Sequence, residues 1–486
     1  MNEQQKKLST RAFSLSTVMA GLEGTIVATA LPSMMADLHG IQLMSWVVTI
    51  FMLTQAVTSP IWNKLSERFG FKEMFITGTS LFIIGSLFEG MSVNMPMLIV
   101  ARAFMGIGAG AMQQLPYVIF GHLFAAKDRR RAIGKLVASY SLAAIAGPLV
   151  GGLIVSLLDW RWVFFINIPI GLYMISQIAR HFKIDLHLAK QAIDYLGAFL
   201  LSLMVIGIML AFQMMGNLVI NWKVISFLLI GAFLLLIAFV FAESRAQAPI
   251  IPLLLFKNPS LMAKNALTFL TFGFFAFYTN YLPTWGQGVV GVTALIGGLI
   301  LIPGSLLLML GARSAGWLTE KLGEKMAVSF AVGLMAAGAL GLILLPETAS
   351  ILWLFILGGI MGLSAGLVNP GMTVAVQESV EIEHLGAATA LNTLIRTLGA
   401  TIILSAMSVA LNQTFVAAIA TDKRLTLNFI NKIADSNALK SIPSNLIVPL
   451  RQVLFDGLHK LAWISFILLL LTLVINIIDP WKKAQR

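Results

Sequence analysis

The sequence predicts an all-α polytopic membrane protein, made of two six-helix bundles plus two extra central spans, or fourteen transmembrane helices. Three features of the chain indicate this class. Hydrophobic residues form 58% of its 486 residues, and charged residues form only 11%. Apolar runs of about 20 residues, enough to cross a bilayer, recur along the whole chain. A charged ten-residue loop occurs twice. A soluble domain of this size carries more charge, whereas a bundle surrounded by lipid does not.

The apolar runs are separated by short charged or turn-forming segments. The predicted spans are residues 12–32, 44–62, 73–92, 96–117, 133–157, 162–180, 193–214, 222–242, 262–283, 292–312, 325–345, 350–370, 385–411 and 458–478. The first run follows Lys6, Lys7 and Arg11, as the apolar part of a secretory signal peptide would. Because it is long enough to span the membrane and carries Glu23 in its middle, we expect it to be an uncleaved first helix.

The positive charges favour one orientation of these spans, because they cluster in alternate connecting segments. The predicted inner segments hold Lys64, Arg68, Lys72, Lys127, Arg129, Arg130, Arg131, Lys135, Arg180, Lys183, Lys190, Arg245, Lys257, Lys264, Arg313, Lys321, Lys325, Lys482, Lys483 and Arg486. The short outer loops hold only Arg161 and Lys223. Positively charged loops stay in the cytoplasm, so we expect both termini there and the protein in the cell membrane. This placement also explains the net charge of +12 without nucleic acid as a partner.

The long outer segment, residues 412–457, is less constrained by that charge rule. It holds Lys423, Arg424, Lys432, Lys440 and Arg451. The spacing of Leu425, Phe429 and Ile433 is typical of an amphipathic helix at the membrane surface. A solvated loop would fit the same residues.

The repeated loop divides the chain into two related halves. Residues 63–72 (NKLSERFGFK) and 316–325 (GWLTEKLGEK) share Leu, an acid, a base, Gly and Lys at equivalent positions, always 253 residues apart. Both lie on the same predicted side, so the halves are parallel repeats. Eight spans separate the copies instead of six, so spans seven and eight are an insertion. The predicted domains are a bundle at 1–190, the inserted pair at 191–245, and a bundle at 246–486 that includes the outer loop.

The two copies are predicted to form a cytoplasmic gating loop in each half. A glycine permits a tight turn, and an acid and a base can hold neighbouring helix ends in one conformation. The residues concerned are Glu67, Arg68, Gly70 and Lys72 in the first copy, and Glu320, Lys321 and Gly323 in the second.

Another stretch places small residues on one helix face. Ala143, Gly147 and Gly151 recur every four residues, so a second helix can approach this face at backbone distance. Pro148 lacks a backbone donor, and we expect a kink next to it. A bent, well-packed span without any mechanism would also fit these residues.

A longer block around these glycines resembles a known family. AAIAGPLVGG at 143–152 is similar to the antiporter motif of the major facilitator superfamily. WRWVFFINIPIG at 160–171 is similar to the signature of its 14-span drug:proton antiporter family. The loop at 63–72 resembles the superfamily's cytoplasmic signature loop. The resemblance implies the major facilitator fold, and it assigns Gly147, Pro148, Gly151 and Gly152 to the antiporter motif.

Glu23 is the first candidate for proton coupling. It lies 12 residues beyond Arg11, or roughly 18 Å along a helix that crosses about 30 Å of hydrocarbon. An ionisable group at that depth is costly and is by default functional. Its context, LEGTIVATALP at 22–32, resembles the first-helix motif of the family. A carboxylate held permanently between two helices is the alternative.

Arg102 is the second candidate for proton coupling. Arg102, Gly106, Gly110 and Gln113 lie on one face of the fourth span. Arg102 should lie roughly 9 Å below the outer surface and Glu23 about 12 Å below it, so the two could meet. RAFMGIGAGA at 102–111 resembles the fourth-helix motif of the family, which implies that the arginine handles protons. A snorkelling or purely structural arginine is the alternative.

The candidate substrate cavity combines polar residues from both halves. YLPTWGQGVVG at 281–291 and ALNTLIRTLG at 390–399 resemble family sequences. Aromatic residues near an outer boundary can equally form an interfacial belt, as we also expect for Trp160 and Trp162. The candidate cavity residues are Gln113, Tyr278, Asn280, Tyr281 and Arg396.

The motifs of several other function classes are missing from the sequence. The six histidines are scattered, and no glycine-rich phosphate loop of the GxxxxGK[ST] type occurs, so we expect no catalytic residues and no ATPase. The lack of cysteine excludes disulfides and thiolate metal sites, and we expect neither a metal nor a cofactor. Any uphill transport must then use an ion gradient.

The expected function is proton-coupled antiport, in which small lipophilic compounds are exported by alternating access between the two bundles. The expected partners are those compounds, protons and the lipid bilayer, and the protein is expected to be a monomer. A dedicated exporter of one lipid or metabolite is the first alternative. A non-transporting membrane sensor on the same fold is the second.

The predicted topology can be tested by labelling, because the chain has no cysteine of its own. Cysteines introduced singly at Arg130 and Asn412 should lie on opposite faces of the membrane. A membrane-impermeant thiol reagent added outside intact cells should label only the cysteine at 412. Labelling of both positions from outside would contradict the fourteen-span arrangement.

Overall fold

The computed structural model describes residues 3–38, 44–124, 126–182, 194–215, 220–247, 249–292, 294–422, 424–426, 429 and 443–479. Several residues used to predict the topology lie outside this described part. They are Lys183, Lys190, Lys423, Lys432, Ile433, Lys440, Lys482, Lys483 and Arg486.

Each predicted span overlaps one helix of the described chain, although several helices extend well past the predicted ends. The helices are α1 (Glu3–Leu38), α2 (Met44–Phe69), α3 (Phe71–Gly90), α4 (Met95–Leu123), α5 (Ala126–Leu157), α6 (Trp162–His181), α7 (Tyr195–Met215), α8 (Trp222–Glu243), α9 (Pro259–Thr284), α10 (Ile296–Leu322), α11 (Glu324–Leu344), α12 (Ile351–Glu378), α13 (Leu385–Thr421) and α14 (Ser444–Ile478). Within the described residues, eleven helices are long and apolar enough to cross a membrane. The protein is therefore a multi-pass membrane protein, and fourteen spans, which also require α1, α2 and α5, stay a prediction.

Asparagine caps fix where two of the central helices begin. The Asn94 side chain accepts a hydrogen bond from the Met97 amide (2.9 Å), and Asn258 does the same for Leu261 (3.1 Å). Each cap is followed by a proline in the first helical turn, where the missing amide costs nothing. These caps set the register of α4 and α9, and with it the depth of every polar residue on them.

The helices pack as two groups with a pair between them. Helices α1 to α6 pack mainly on one another, and so do α9 to α14. The pair α7 and α8 packs together and lies against α2 and α13, with Gln213 Nε2 donating to Thr49 Oγ1 at 2.5 Å. An insertion at this position leaves both six-helix groups intact.

The two groups touch near the ends that are predicted to be cytoplasmic. Helix α5 contacts α10 and α12, while α13 contacts α2 and α4. Gln377 Nε2 donates to the Tyr117 carbonyl at 3.3 Å, and Thr393 Oγ1 donates to Gln114 Oε1 at 2.6 Å. Thr393 lies in the first turns of α13 and Gln377 in the last turn of α12, so these contacts join the halves on the inner side.

Helices extend into both ends of the predicted outer segment 412–457, so the connection between them is shorter than predicted. Helix α13 continues to Thr421 and α14 already begins at Ser444. The predicted span ended at the width of the membrane, but residues 412–421 contain no Gly or Pro, and α13 continues through them. The predicted surface helix stays untested, because Ile433 lies outside the described residues.

The repeated loops form matching turns. Gly70 has φ 98° and Gly323 has φ 80°, which are left-handed conformations that favour glycine. The two residues occupy equivalent positions of the repeat. The predicted tight turn is thus confirmed in both copies.

The lysines that end each copy also match. Lys72 Nζ donates to the Ala179 carbonyl at 2.8 Å, and Lys325 Nζ donates to the Ile477 carbonyl at 2.6 Å. Ala179 and Ile477 lie in the last turns of α6 and α14, the sixth helix of each group. Each lysine therefore satisfies a free carbonyl at a helix C-terminus, where a cation is favoured.

The predicted small-residue crossing exists between α1 and α5. A Cβ atom added to Gly147 would overlap Thr25 of α1, and one added to Gly21 would overlap the Tyr140 carbonyl of α5. Ala143 and Gly151 are buried as well. Helix α5 runs without interruption through Pro148, and the bend expected there stays a prediction.

Replacing Gly147 by Leu should wedge this crossing apart, because the added side chain would overlap Thr25. Overpacking of a close contact costs about 1–3 kcal/mol. The variant should reach the membrane with a lower melting temperature and reduced transport. Gly231→Leu is the matched control, since nothing lies within 4 Å of a Cβ at that position of α8. Equal thermal stability of the two variants would contradict the assignment of a tight crossing.

Candidate functional site

Arg102 forms the centre of a buried cluster near the end of the first group that is predicted to face outward. Only 2% of Arg102 is exposed. Its Nη1 atom donates a hydrogen bond to Oε1 of Glu23 on α1 and lies 3.5 Å from Oε2 of Glu89 on α3. The guanidinium also lies over the rings of Phe51 (4.8 Å) and Phe164 (5.6 Å). The expected meeting of Glu23 and Arg102 is therefore observed.

Asn167 fixes the orientation of the Glu23 carboxylate. Its Nδ2 atom donates to Glu23 Oε2 at 3.2 Å and to Ser86 Oγ at 3.0 Å. Ser86 Oγ in turn donates to the Phe164 carbonyl at 2.8 Å. All these side chains are buried. Asn167 belongs to the FFINIPIG block, so this part of the sequence signature contributes directly to the cluster.

Glu89 and Asn167 were not among the residues predicted from the sequence. Glu89 lies in the last turn of α3, close to the predicted end of its span, where an acid can reach water. In the fold it is fully buried, because α4 and α6 cover this end of α3. An acid inside the apolar run 73–92 was the available signal. For Asn167, the available signal was its place in the WRWVFFINIPIG block, which resembles the family signature.

The cluster holds more negative than positive groups. Two carboxylates surround one guanidinium, and a buried charge without a partner costs several kcal/mol. One added proton balances the cluster, because it leaves one carboxylate for the arginine. The geometry is therefore suited to binding and releasing a proton.

Arg396 lies where the two halves meet. Its guanidinium is 5.8 Å from the ring centre of Tyr117 on α4 and 5.0 Å from that of Phe272 on α9. Arg396 Nη2 donates to Thr393 Oγ1 at 3.2 Å. Gln113, on the turn of α4 before Tyr117, is half-buried. These residues line the interface in the middle of the molecule.

The two candidate cavity residues near the predicted outer end of α9, Tyr281 and Asn280, have different environments. Tyr281 is half-buried, and its hydroxyl is 2.9 Å from Ser408 Oγ on α13. Asn280 is exposed, with its amide donating to the Ala276 carbonyl at 2.8 Å. Asn280 shares a helix face with Ala276 and Phe272, so it can line the same interface as Arg396.

The assignment of Tyr278 to the substrate cavity needs correction. Only 3% of Tyr278 is exposed, and its ring packs inside the second group against Gly304 of α10 and Gly358 of α12. The absence of side chains at these glycines makes the space for its ring. Trp285 is likewise buried, against Phe455, and is neither a belt residue nor a cavity residue.

The two tryptophans expected in an interfacial belt differ in exposure, and only Trp162 is placed on the surface as a belt residue would be. Trp162 is 51% exposed. Trp160 is buried and donates through Nε1 to Asp37 Oδ2 at 3.1 Å. Arg161 also reaches Asp37, at 2.9 Å. The sequence could not reveal this partner, because Asp37 comes from the far end of α1.

The acids of the repeated loops both reach the opposite half. A Cβ on Gly386, in the first turn of α13, would lie 2.7 Å from Glu67 Oε1. Glu320 lies 3.6 Å from Arg131 in the first turns of α5. Helices α5 and α13 are the fifth helices of their groups, so the two contacts are equivalent. The exposed bases Arg68 and Lys321 instead lie over the rings of Phe69 and Trp317.

The second half buries a lysine near its inner face. Lys264 was predicted at the inner end of the ninth span, and it lies in the second turn of α9 with 2% of its surface exposed. Its Nζ donates to Ser379 Oγ (2.5 Å) and Ser260 Oγ (3.1 Å). These hydroxyls are acceptors from α12 and α9 that the sequence alone did not place together.

Comparison with known proteins identifies relatives over most of the chain. Residues 13–404 match the family model described as Major Facilitator Superfamily. The multidrug transporter protein MdtP of Bacillus subtilis is 30% identical, over 100% of this chain and 95% of that protein. Multidrug resistance protein 3 of the same organism is 32% identical, over 80% and 76%. Among solved structures, the human organic anion transporter MFSD10 is similar in fold, with a TM-score of 0.67, 14% identity and coverage of 96% and 100%.

Proposed function

The chain belongs to the Major Facilitator Superfamily, and on that premise we propose that it is a proton-coupled exporter of small lipophilic compounds. It is a secondary transporter and not an enzyme. We further assign it to the superfamily's 14-span drug:proton antiporters, in the cell membrane with both termini in the cytoplasm. The names of its relatives MdtP and multidrug resistance protein 3 support drug efflux.

The observation that carries the coupling proposal is the buried contact between Glu23 and Arg102. A carboxylate in an apolar site is costly when charged, and a neighbouring guanidinium offsets that cost. If the guanidinium recedes during the transport cycle, the carboxylate takes up a proton, and if it returns, the proton leaves. A change in helix packing is thereby linked to a change in proton affinity.

The contacts on the inner side support alternating access. The halves touch through α5 with α10 and through α2 with α13, and each loop acid lies at the start of a helix in the other half. Breaking these contacts and closing the outer ends would expose the central interface to the cytoplasm. Rocking of two repeats about a site between them is the usual motion of such transporters.

The central interface supports a lipophilic substrate of variable shape. It combines aromatic rings, such as Tyr117, Phe272 and Tyr281, with a few polar groups around Arg396. A pocket with these properties binds through apolar area and orients its ligand with a small number of hydrogen bonds. Transport of such a compound with a proton gradient as the energy source would require no bound cofactor.

Glu23→Gln should abolish pH-driven export, because glutamine keeps the shape of a protonated glutamate but cannot release a proton. Purified protein in vesicles with an imposed pH gradient measures this directly, with a fluorescent lipophilic dye as the probe. Glu23→Asp should keep partial activity, since it keeps the carboxylate. Dye binding should survive in both variants.

Glu347→Gln, in the outer loop between α11 and α12, is the control for this substitution and should transport as wild type. Undiminished gradient-driven transport by the Glu23→Gln variant would contradict the assignment of the coupling site to Glu23.

A further inference from the structure

We propose that Glu89 is a second proton-exchanging carboxylate, which shares Arg102 with Glu23, and that the three residues together carry one exchangeable proton. This inference rests on the proposed proton coupling and extends it. It makes the coupling site a cluster of two acids and one base, in which either carboxylate can be the partner of the arginine.

At its buried position, Glu89 depends on Arg102 to compensate its negative charge. Glu89 is fully buried, and neither of its carboxylate oxygens has a hydrogen-bond partner within the described residues. Its nearest cation is Arg102, whose Nη1 lies 3.5 Å from Oε2. The same Nη1 already donates to Glu23, and the buried Nε of Arg102 has no acceptor in the described structure. One guanidinium nitrogen thus serves two carboxylates, of which Glu23 is the closer.

The surroundings supply no second base for Glu89. Helix α3 packs against α2, α4 and α6. Among the described contacts, α4 contributes Arg102, α6 contributes the neutral Asn167, and α2 contributes the Phe51 ring. Arg161 contacts the Ser92 carbonyl beyond the end of α3, but its own partners are Asp37 and Asp159. The charge of Glu89 therefore has to be balanced by Arg102 or by a proton.

The charge balance gives two equivalent states. When the proton is on Glu89, Glu23 and Arg102 form a neutral ion pair beside a neutral acid. When the proton is on Glu23, Arg102 pairs with Glu89 instead. Because one Nη1 lies next to both carboxylates, a small movement of the guanidinium changes its partner. The proton is taken from water onto a carboxylate oxygen in one state and is returned to water in the other, and the arginine stays charged throughout.

The two carboxylates lie on different helices, so movement between helices can decide which one holds the proton. Glu89 lies in the last turn of α3, at the predicted outer end, whereas Glu23 lies on α1, which crosses α5 and contacts α6. Glu89 is therefore the member nearer the predicted outer end, although α4 and α6 cover it in this structure. A shift of α1 relative to α3 and α4 would weaken one pair and strengthen the other.

Infrared difference spectroscopy of the purified protein tests where the proton is held. A buried protonated carboxylic acid gives a carbonyl stretching band that a carboxylate does not give. Wild-type protein should show such a band that appears and disappears with pH, and Glu89→Gln should lose it. Glu73→Gln, at the exposed start of the same helix, is the matched control and should keep the band.

Transport measurements on the same variants test whether that proton is exchanged. Glu89→Gln leaves one carboxylate for one arginine, so gradient-driven dye transport should fall to its level without a pH gradient. Dye exchange between equal pH values should remain, which shows that the variant is folded. Glu89→Asp should restore part of the gradient-driven transport.

Each contrary outcome identifies what failed. A Glu89→Gln variant with the wild-type band and wild-type pH-driven transport would overturn the inference while leaving Glu23 as the coupling residue. Loss of the band with full pH-driven transport would overturn it as well, because Glu89 would then hold a fixed proton. If wild-type protein shows no pH-driven transport at all, the proposed function fails instead.

Discussion

A guanidinium buried inside the first group needs carboxylates around it, and four helices meet to form this cluster. Arg102 comes from α4, Glu23 from α1, Glu89 from α3, and α6 adds Asn167 to orient Glu23. Removing Arg102 would leave two buried carboxylates without this cation, which is strongly destabilising. The packing of the first six helices and the proposed proton exchange therefore depend on the same few contacts.

The repeated loop provides the symmetry that relates the two halves. In both copies the glycine forms a left-handed turn, and the lysine satisfies carbonyls at the end of the sixth helix of its own half. The acid reaches the start of the fifth helix in the other half. The lysine contacts lie within each half, whereas the acid contacts join the halves and would break in the proposed transport cycle. A single short motif thus combines a contact within one half with a contact between the halves.

The sequence predicted the architecture well and the buried site only in part. Apolar runs gave the positions of the helices, and the equivalent spacing gave the turn at Gly70 and Gly323, because both depend on local chemistry. Gly147 was placed correctly at a crossing, because small residues with period four have few other uses in a membrane. Glu89 was missed and Tyr278 misplaced for one reason: burial of a polar side chain depends on which helices cover it. That is a property of the tertiary arrangement, as the Asp37 contacts of Trp160 and Arg161 also illustrate.

Proton movement driven by substrate in the wild-type protein tests the account most directly. Vesicles containing the protein are loaded with a fluorescent lipophilic dye whose export by intact cells has been verified, with no initial pH difference across the membrane. Outward flow of dye should then draw protons inward, and an internal pH indicator should report acidification that depends on the protein. Dye efflux through the protein without any change of internal pH would contradict proton coupling by the Arg102 cluster.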